Sequence, residues 1–289
     1  MLCFSKLQRQ FYSPFLNRFA LHNKFQSLML TAKSRPICPS CSKPATICLC
    51  NRLPTPLLNN SVSVTIFQHT LEKNHPLNSA RIAKIGLKNV GIVTVSDVNF
   101  DAHFFIRPLH QFCAFDFTIA KSGTITSPVS NMSFDKLLAS GGAVDEIRKG
   151  FVVKKVKLCD EFEITVPCGS VLLYPSESSV DAETIDWEVK NLIVLDGTWA
   201  KAKRMYKENP WLRLLPHIRL DLDKVSLYNE VRTQPRAGYL STIESIVYAM
   251  KTVGEEEDAD GLDGLLAVFQ SMVEDQRRCK DERISKPNS

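Results

Sequence analysis

No acidic residue occurs before Glu72, and no apolar run in the 289-residue chain approaches the ~20 residues that span a bilayer. The second absence predicts a soluble chain. The first sets the amino terminus apart, where Lys6, Arg9, Arg18 and Lys24 lie among Phe, Leu and Ser. The uninterrupted apolar centre of a secretory signal is also missing. Residues 1–34 therefore suit an organellar presequence, mitochondrial or plastid, or a basic disordered arm. Without a secretory signal, the nine cysteines do not imply a disulfide framework. Several chemical signatures are lacking as well. There is no Gly-x-Gly-x-x-Gly, no P-loop Gly-Lys-Ser/Thr, no His-Glu-x-x-His and no Gly-x-Ser-x-Gly elbow. Classical dinucleotide-binding, NTPase, metalloprotease and hydrolase assignments lose their strongest support. No internal repeat or low-complexity tract appears.

What is present is enough for a core. A 44% hydrophobic content argues against wholesale disorder, and the length allows one large α/β domain with attachments or two modest ones. The net charge of +5 conceals an uneven distribution. Residues 251–289 hold ten acids and six bases, so thirty bases and twenty-one acids precede them, an excess of nine. That excess favours a polyanionic partner without choosing among RNA, DNA and a membrane surface.

The alternating, β-branched SVSVTIFQH at 61–69 predicts a strand, followed by a helix from Asn78 or Ser79 and a strand at 91–95. In the middle, roughly 96–165, AHFFIRP and FEITVP suit strands, and a short helix is broken at Gly141 and Gly142. Their pairing is not readable. SVLLY at 170–174 and LIVLD at 192–196 have the unbroken apolar character of parallel strands buried on both faces. A helix should run from Thr198 to about Glu208, stopped before Pro210. Ser241 and Glu244 form a capping box for a helix whose buried stripe is Ile243, Ile246, Val247 and Met250. An acidic loop at 254–261, a last helix over 262–278 and a polar tail complete the chain.

Cys38, Cys41, Cys48 and Cys50 form two close thiol pairs joined by six residues, which can fold around one tetrahedral ion. Four thiolates leave no labile water position, so a zinc there would be structural and would order a segment too polar to fold alone. A reduced thiol cluster and an Fe–S centre are the alternatives.

The chemistry-bearing residues cluster where strands end, as ligands do in open parallel sheets. Tyr174-Pro175-Ser176 and Asp196-Gly197-Thr198-Trp199 occupy such places. Asp196 suits a base or a ligand's acceptor, although it or Thr198 equally suits a helix cap, and Trp199 suits a core anchor. Gly197 allows close approach to the backbone. Gln234 and Arg236 can fork hydrogen bonds to a nucleotide or carboxylate, Gly238 supplies a bend, and Ser241 and Thr242 sit at a helix start. The alternative there is a capped surface turn. Lys201 with Arg204, and Lys203 with Lys207, share helix sides, and Trp211 and Arg213 extend them into a candidate RNA-contacting rim.

These segments together resemble the DTW-domain family, tRNA-uridine aminocarboxypropyltransferases related to SPOUT methyltransferases. The resemblance runs over about 35–275. It rests on the four cysteines, Gln68-His69 with Glu72, Asn78-Ser79-Ala80, Tyr174-Pro175-Ser176-Glu177, Asp196-Gly197-Thr198-Trp199 and Gln234 through Glu244. Gly197 is an insertion relative to the three-letter family name. The resemblance implies a SPOUT-like α/β domain, a parallel sheet with a C-terminal trefoil knot, over 56–275. A zinc knuckle at 35–55 precedes it, and a tail at 276–289 follows. It implies transfer of the 3-amino-3-carboxypropyl group of S-adenosylmethionine to N3 of a tRNA uridine, leaning to the D-loop. It further implies a donor pocket from Tyr174, Pro175, Ser176, Glu177, Gly197, Thr198, Gln234, Arg236, Gly238, Leu240, Ser241 and Thr242. Asp196, Trp199 and His69 are its candidate catalytic residues. A SPOUT-type RNA methyltransferase and a noncatalytic zinc-containing tRNA-binding protein are the competing assignments.

Overall fold

In a computed structural model, described for residues 36–97, 102–110, 117–126, 134–139, 141–156, 162–221, 225–230, 239–255 and 258–285, two sheets share one body. The first sheet takes β1 (Ser63–His69), β2 (Val90–Val95), β8 (Ser170–Leu173), β9 (Val180–Asp181), β10 (Asn191–Asp196) and β11 (His217–Arg219). Its order is β2-β1-β10-β8-β11-β9, and every pairing is parallel. The unbroken apolar runs now have their reason, because adjacent residues bury on opposite faces. Val64, Ile66, Val171, Leu192 and Val194 join one core, while Phe67, Leu172 and Ile193 join another.

Helices cover the first face: α1 (Ala80–Gly86), α5 (Thr242–Val253) and α6 (Ala259–Ile284). The capping box of α5 is present, with the Ser241 hydroxyl accepting from the Glu244 amide and the Glu244 carboxylate accepting from Ser241 N–H at 2.8 Å. The expected buried stripe of α5 is buried. The last helix begins inside the segment read as an acidic loop. Asp258 is its N-cap residue, and its carboxylate accepts from both the amide and the hydroxyl of Ser61, at 3.0 Å each. The helix also runs through residues 276–284.

The unreadable middle is the second sheet, antiparallel throughout. It comprises β3 (His103–Pro108), β4 (Phe117–Ala120), β5 (Ile125–Thr126), β6 (Gly150–Val156) and β7 (Phe162–Pro167), ordered β5-β4-β3-β6-β7. With α2 (Phe134–Ala139), α3 (Gly141–Arg148) and α4 (Trp199–Glu208) it covers the opposite face of the parallel sheet. Trp211 is fully buried there, edge-on to Phe67 and Phe151, so it forms core rather than an RNA-contacting rim. Arg213 is exposed, pairs with Asp135 at 3.0 Å and lies 5.1 Å over the Phe134 ring. Among the described residues, no helix is long and apolar enough to cross a membrane.

Candidate active site

Because all six strands of the first sheet point the same way, their carboxyl ends collect loops on one edge. Leu173-Tyr174-Pro175 leave β8, Gly197-Thr198 leave β10, and Leu220-Asp221 leave β11. Together with the Tyr239–Thr242 entry to α5 they enclose two cavities. The larger, about 340 Å³, is walled by Leu173, Pro175, Val194, Leu195 and Leu240, with Arg219, Asp221 and Ser245 as polar groups. The smaller, about 240 Å³, has more polar side chains in its lining, with Glu72, Asn78, Ser79, Asp196, Thr198 and Tyr228 among them. Gly197, Trp199, Tyr239, Leu240 and Thr242 line both. Trp199 is half-buried and stacks on Tyr239, with ring centroids 3.9 Å apart and planes inclined by 26°.

Asp196 ends β10 beside Gln68 of β1 and is only 5% exposed. Its Oδ2 accepts from Gln68 Nε2 at 2.8 Å and Asn78 Nδ2 at 3.1 Å, and its Oδ1 accepts from Thr242 Oγ1 at 2.6 Å. One carboxylate thus ties together β1, the entry to α1 and the entry to α5. The helix cap is Thr198 instead, whose hydroxyl accepts from Lys201 N–H at 3.3 Å. Gly197 also gives α4 room to approach, since a Cβ there would make a tight 3.0 Å contact with Lys201 Cβ.

His69 is 2% exposed and lines neither cavity. Its Nδ1 accepts from Leu71 N–H at 3.2 Å, which leaves Nε2–H to donate to Asp97 at 3.0 Å. That hydrogen bond is the main cause holding the Asp97 carboxyl below its usual range, with Arg204 nearby assisting. Ser176 also points elsewhere. Its hydroxyl lies 2.5 Å from His217 Nδ1, while His217 Nε2 lies 3.0 Å from the Leu212 carbonyl. Since a carbonyl only accepts, Nε2 carries the proton and the serine donates to Nδ1. Burial pushes the His217 pKa down. Glu177 is exposed and outside both linings, whereas Tyr174 and Pro175 line the larger cavity, Ser241 the smaller, and Leu240 and Thr242 both. Gln234, Arg236 and Gly238 lie outside the described residues.

The basic helix α4 divides by partner. Lys201 Nζ meets Glu72 Oε1 at 2.8 Å, and Arg204 pairs with Asp97 and Glu208. Lys203 and Lys207 are exposed. Arg219, Leu220, Asp221 and Tyr228 carry no assignment from sequence, and Tyr239 enters there only within the Gln234–Glu244 motif. Once His217–Arg219 is known to be a parallel strand, the strand-end rule points straight at Asp221.

The four cysteines converge outside these cavities. Their sulfurs all lie within 4.8 Å of one another, with Cys38–Cys50 and Cys41–Cys48 each 3.7 Å apart. A tetrahedron with bonds of about 2.3 Å has edges of about 3.8 Å, so the donor set fits zinc. Hydrogen bonds from the Cys41 and Ser40 backbone lower the Cys38 thiol pKa to about 6, while burial pushes Cys50 up to about 12. Lys43, inside the knuckle, donates from Nζ to the Pro76 carbonyl at 2.6 Å, next to Leu77 and Asn78 of the smaller cavity.

Comparison with known proteins bears on this arrangement. The family model described as the DTW domain matches residues 35–277. The tRNA-uridine aminocarboxypropyltransferase 2 of Drosophila melanogaster is 26% identical over 210 residues, 72% of this chain and 62% of that protein. The mouse protein of the same name is 24% identical over 226 residues, covering 76% and 57%. The tRNA-uridine aminocarboxypropyltransferase A of Arabidopsis thaliana is 23% identical over 253 residues, covering 83% and 80%. The aligned region thus spans about three-fifths of the animal relatives it matches. No solved structure matches.

Proposed function

Because the chain belongs to the DTW-domain family, we propose that it transfers the 3-amino-3-carboxypropyl group of S-adenosylmethionine to N3 of a tRNA uridine, releasing methylthioadenosine. The observation that carries this is the pair of cavities adjoining at the Trp199–Tyr239 stack, since a two-substrate transfer needs two pockets that meet. The larger cavity suits the donor. Its volume is within the roughly 300–1,000 Å³ of small-molecule sites, its walls are apolar enough for adenine, and Arg219, Asp221 and Ser245 offer polar partners. The smaller, polar cavity suits the uracil.

The donor supplies an alkyl carbon already activated by a sulfonium leaving group. What the chain must add is placement, so that N3 attacks the γ-carbon rather than the methyl carbon. Asp196 serves that placement by holding Gln68, Asn78 and Thr242 in one arrangement at the junction of the cavities. Trp199 offers an aromatic face to a base, and Thr242 reaches the floor of both pockets. The fully engaged nitrogens of His69 favour a structural role for it. Lys203 and Lys207 on α4, with the basic excess before residue 251, suit a tRNA backbone. The Asp196-Gly197-Thr198-Trp199 variant favours the D-loop. Cys38, Cys41, Cys48 and Cys50 hold a structural zinc in this proposal, and the insertion of β10 and β11 between earlier strands supports a SPOUT-like, knotted carboxy-terminal half.

The test is to incubate the full-length protein with unmodified tRNA and S-adenosylmethionine and weigh the nucleosides by LC–MS. Aminocarboxypropyl-uridine mapped to a D-loop fragment is the expected product. A methylated nucleoside makes the chain a methyltransferase, and tRNA binding without any donor-dependent product removes the catalytic assignment.

A further inference from the structure

Uridine N3 carries a proton that must leave as the new bond forms, and the smaller cavity contains two carboxylates, Glu72 and Asp196. They are differently placed. Asp196 accepts three hydrogen bonds from Gln68, Asn78 and Thr242, at 2.6–3.1 Å. Those three contacts commit both of its oxygens to joining β1, the entry to α1 and the entry to α5.

Glu72 is 5% exposed and sits in the 3-10 turn Thr70–Glu72 that follows β1. Its Oε1 meets Lys201 Nζ at 2.8 Å, and that ammonium offsets the cost of burying the carboxylate's charge. The two acids are held in fixed relation by one amide. Asn78 Nδ2 donates to the Glu72 backbone carbonyl at 2.9 Å and to Asp196 Oδ2 at 3.1 Å. Lys201 rises from the first turn of α4, directly over Gly197, so the ion pair is anchored to the segment shared by both cavities.

We propose that Glu72 is the general base of the transfer, with Lys201 as its positioning partner, and that Asp196 orders the cavity without taking the proton. This rests on the transferase function proposed above. In the step, the N3–Cγ bond forms and the Cγ–S bond breaks. The sulfonium sulfur keeps the electron pair of that bond and becomes a neutral thioether, and the N3 proton passes to the Glu72 carboxylate. Release of the proton to solvent restores the base.

The experiment compares wild type, Glu72→Gln and Glu72→Asp on two tRNA transcripts, one with uridine and one with 5-fluorouridine, whose N3 proton is more acidic. Donor affinity, tRNA affinity and thermal stability are read alongside turnover. With uridine tRNA, Glu72→Gln is expected to lose on the order of 100- to 10,000-fold in kcat while both affinities hold. With 5-fluorouridine tRNA the deficit should shrink by about tenfold or more, because less help is needed in removing the proton. Glu72→Asp should fall between the two and show the same substrate dependence, and it carries the comparison if the glutamine variant does not fold. Equal deficits on the two transcripts, or loss of donor affinity in both variants, overturns the assignment of Glu72. Absence of aminocarboxypropyl product from wild type on either transcript overturns the transferase function itself, and this assignment with it.

Discussion

Replacing Asp196 with alanine separates an architectural carboxylate from a purely chemical one. The substitution strips the acceptor from Gln68 Nε2, Asn78 Nδ2 and Thr242 Oγ1. Asn78 keeps its bond to the Glu72 carbonyl, and the partly exposed Thr242 hydroxyl can turn to water, so Gln68 bears the largest loss. A buried donor left without an acceptor costs about 1–3 kcal/mol, and with partial losses at the other two the sum is about 3 kcal/mol. For a domain of roughly 150–250 residues each kcal/mol moves the melting temperature by about 2–4 °C, so Tm should fall by about 6–12 °C. Asp196→Asn keeps one acceptor oxygen but sets an amide N–H against a donor, and should fall by less. The assay is calorimetry of the three proteins at equal concentration and pH. A carboxylate kept for chemistry alone is commonly a stability burden, so its removal leaves Tm unchanged or raises it. Either of those results refutes the architectural role.

If the four cysteines hold zinc as proposed, chelation should lower Tm and raise hydrogen exchange at the Leu77 and Asn78 amides, because the Lys43–Pro76 bond fastens that wall to the knuckle. Metal analysis giving less than one zinc per chain, or exchange unchanged on chelation, refutes this. The lowered pKa of His217 makes a signed prediction about acid. Its folded pKa lies below the unfolded value of about 6.5, so below that pH the unfolded chain binds more protons and stability is lost as the pH falls. A His217→Gln variant should therefore show a flatter decline of Tm between pH 7 and pH 5 than wild type, and a parallel decline contradicts the argument.

The parallel strands were legible because LIVL and SVLL must satisfy two faces, and an unbroken apolar run has few other uses. The capping box at Ser241 was legible for a different reason, since both its partners lie within four residues. The antiparallel sheet was not, because its central pairing joins β3 to β6, strands far apart along the chain. His217–Arg219 is only three residues long, too short for periodicity to register, and Asp221 was missed with it. At the site, composition located the edge of the sheet but not the direction of its side chains. The donors to Asp196 come from residues 128, 118 and 46 positions away, and no local pattern announces such a convergence. Ser176 shows the converse, a motif residue whose hydroxyl is taken by a histidine that sequence left unassigned. The strand-end motif drew attention to Asp196, and only the fold distinguishes its role from that of Glu72.

The stacking of Trp199 on Tyr239 makes the protein its own optical instrument. The chain has three tryptophans, and each occupies a different medium. Trp211 is sealed in the core and should emit at short wavelength, while Trp187, 42% exposed, should emit at long wavelength as in water. Trp199 alone borders both cavities, with a phenol ring against its face as an energy donor. Replacing Trp187 with phenylalanine leaves one indole as a constant internal reference and one as a reporter. Arrival of a ligand in either cavity can then be followed in real time, in the unlabelled protein, by the colour of its light.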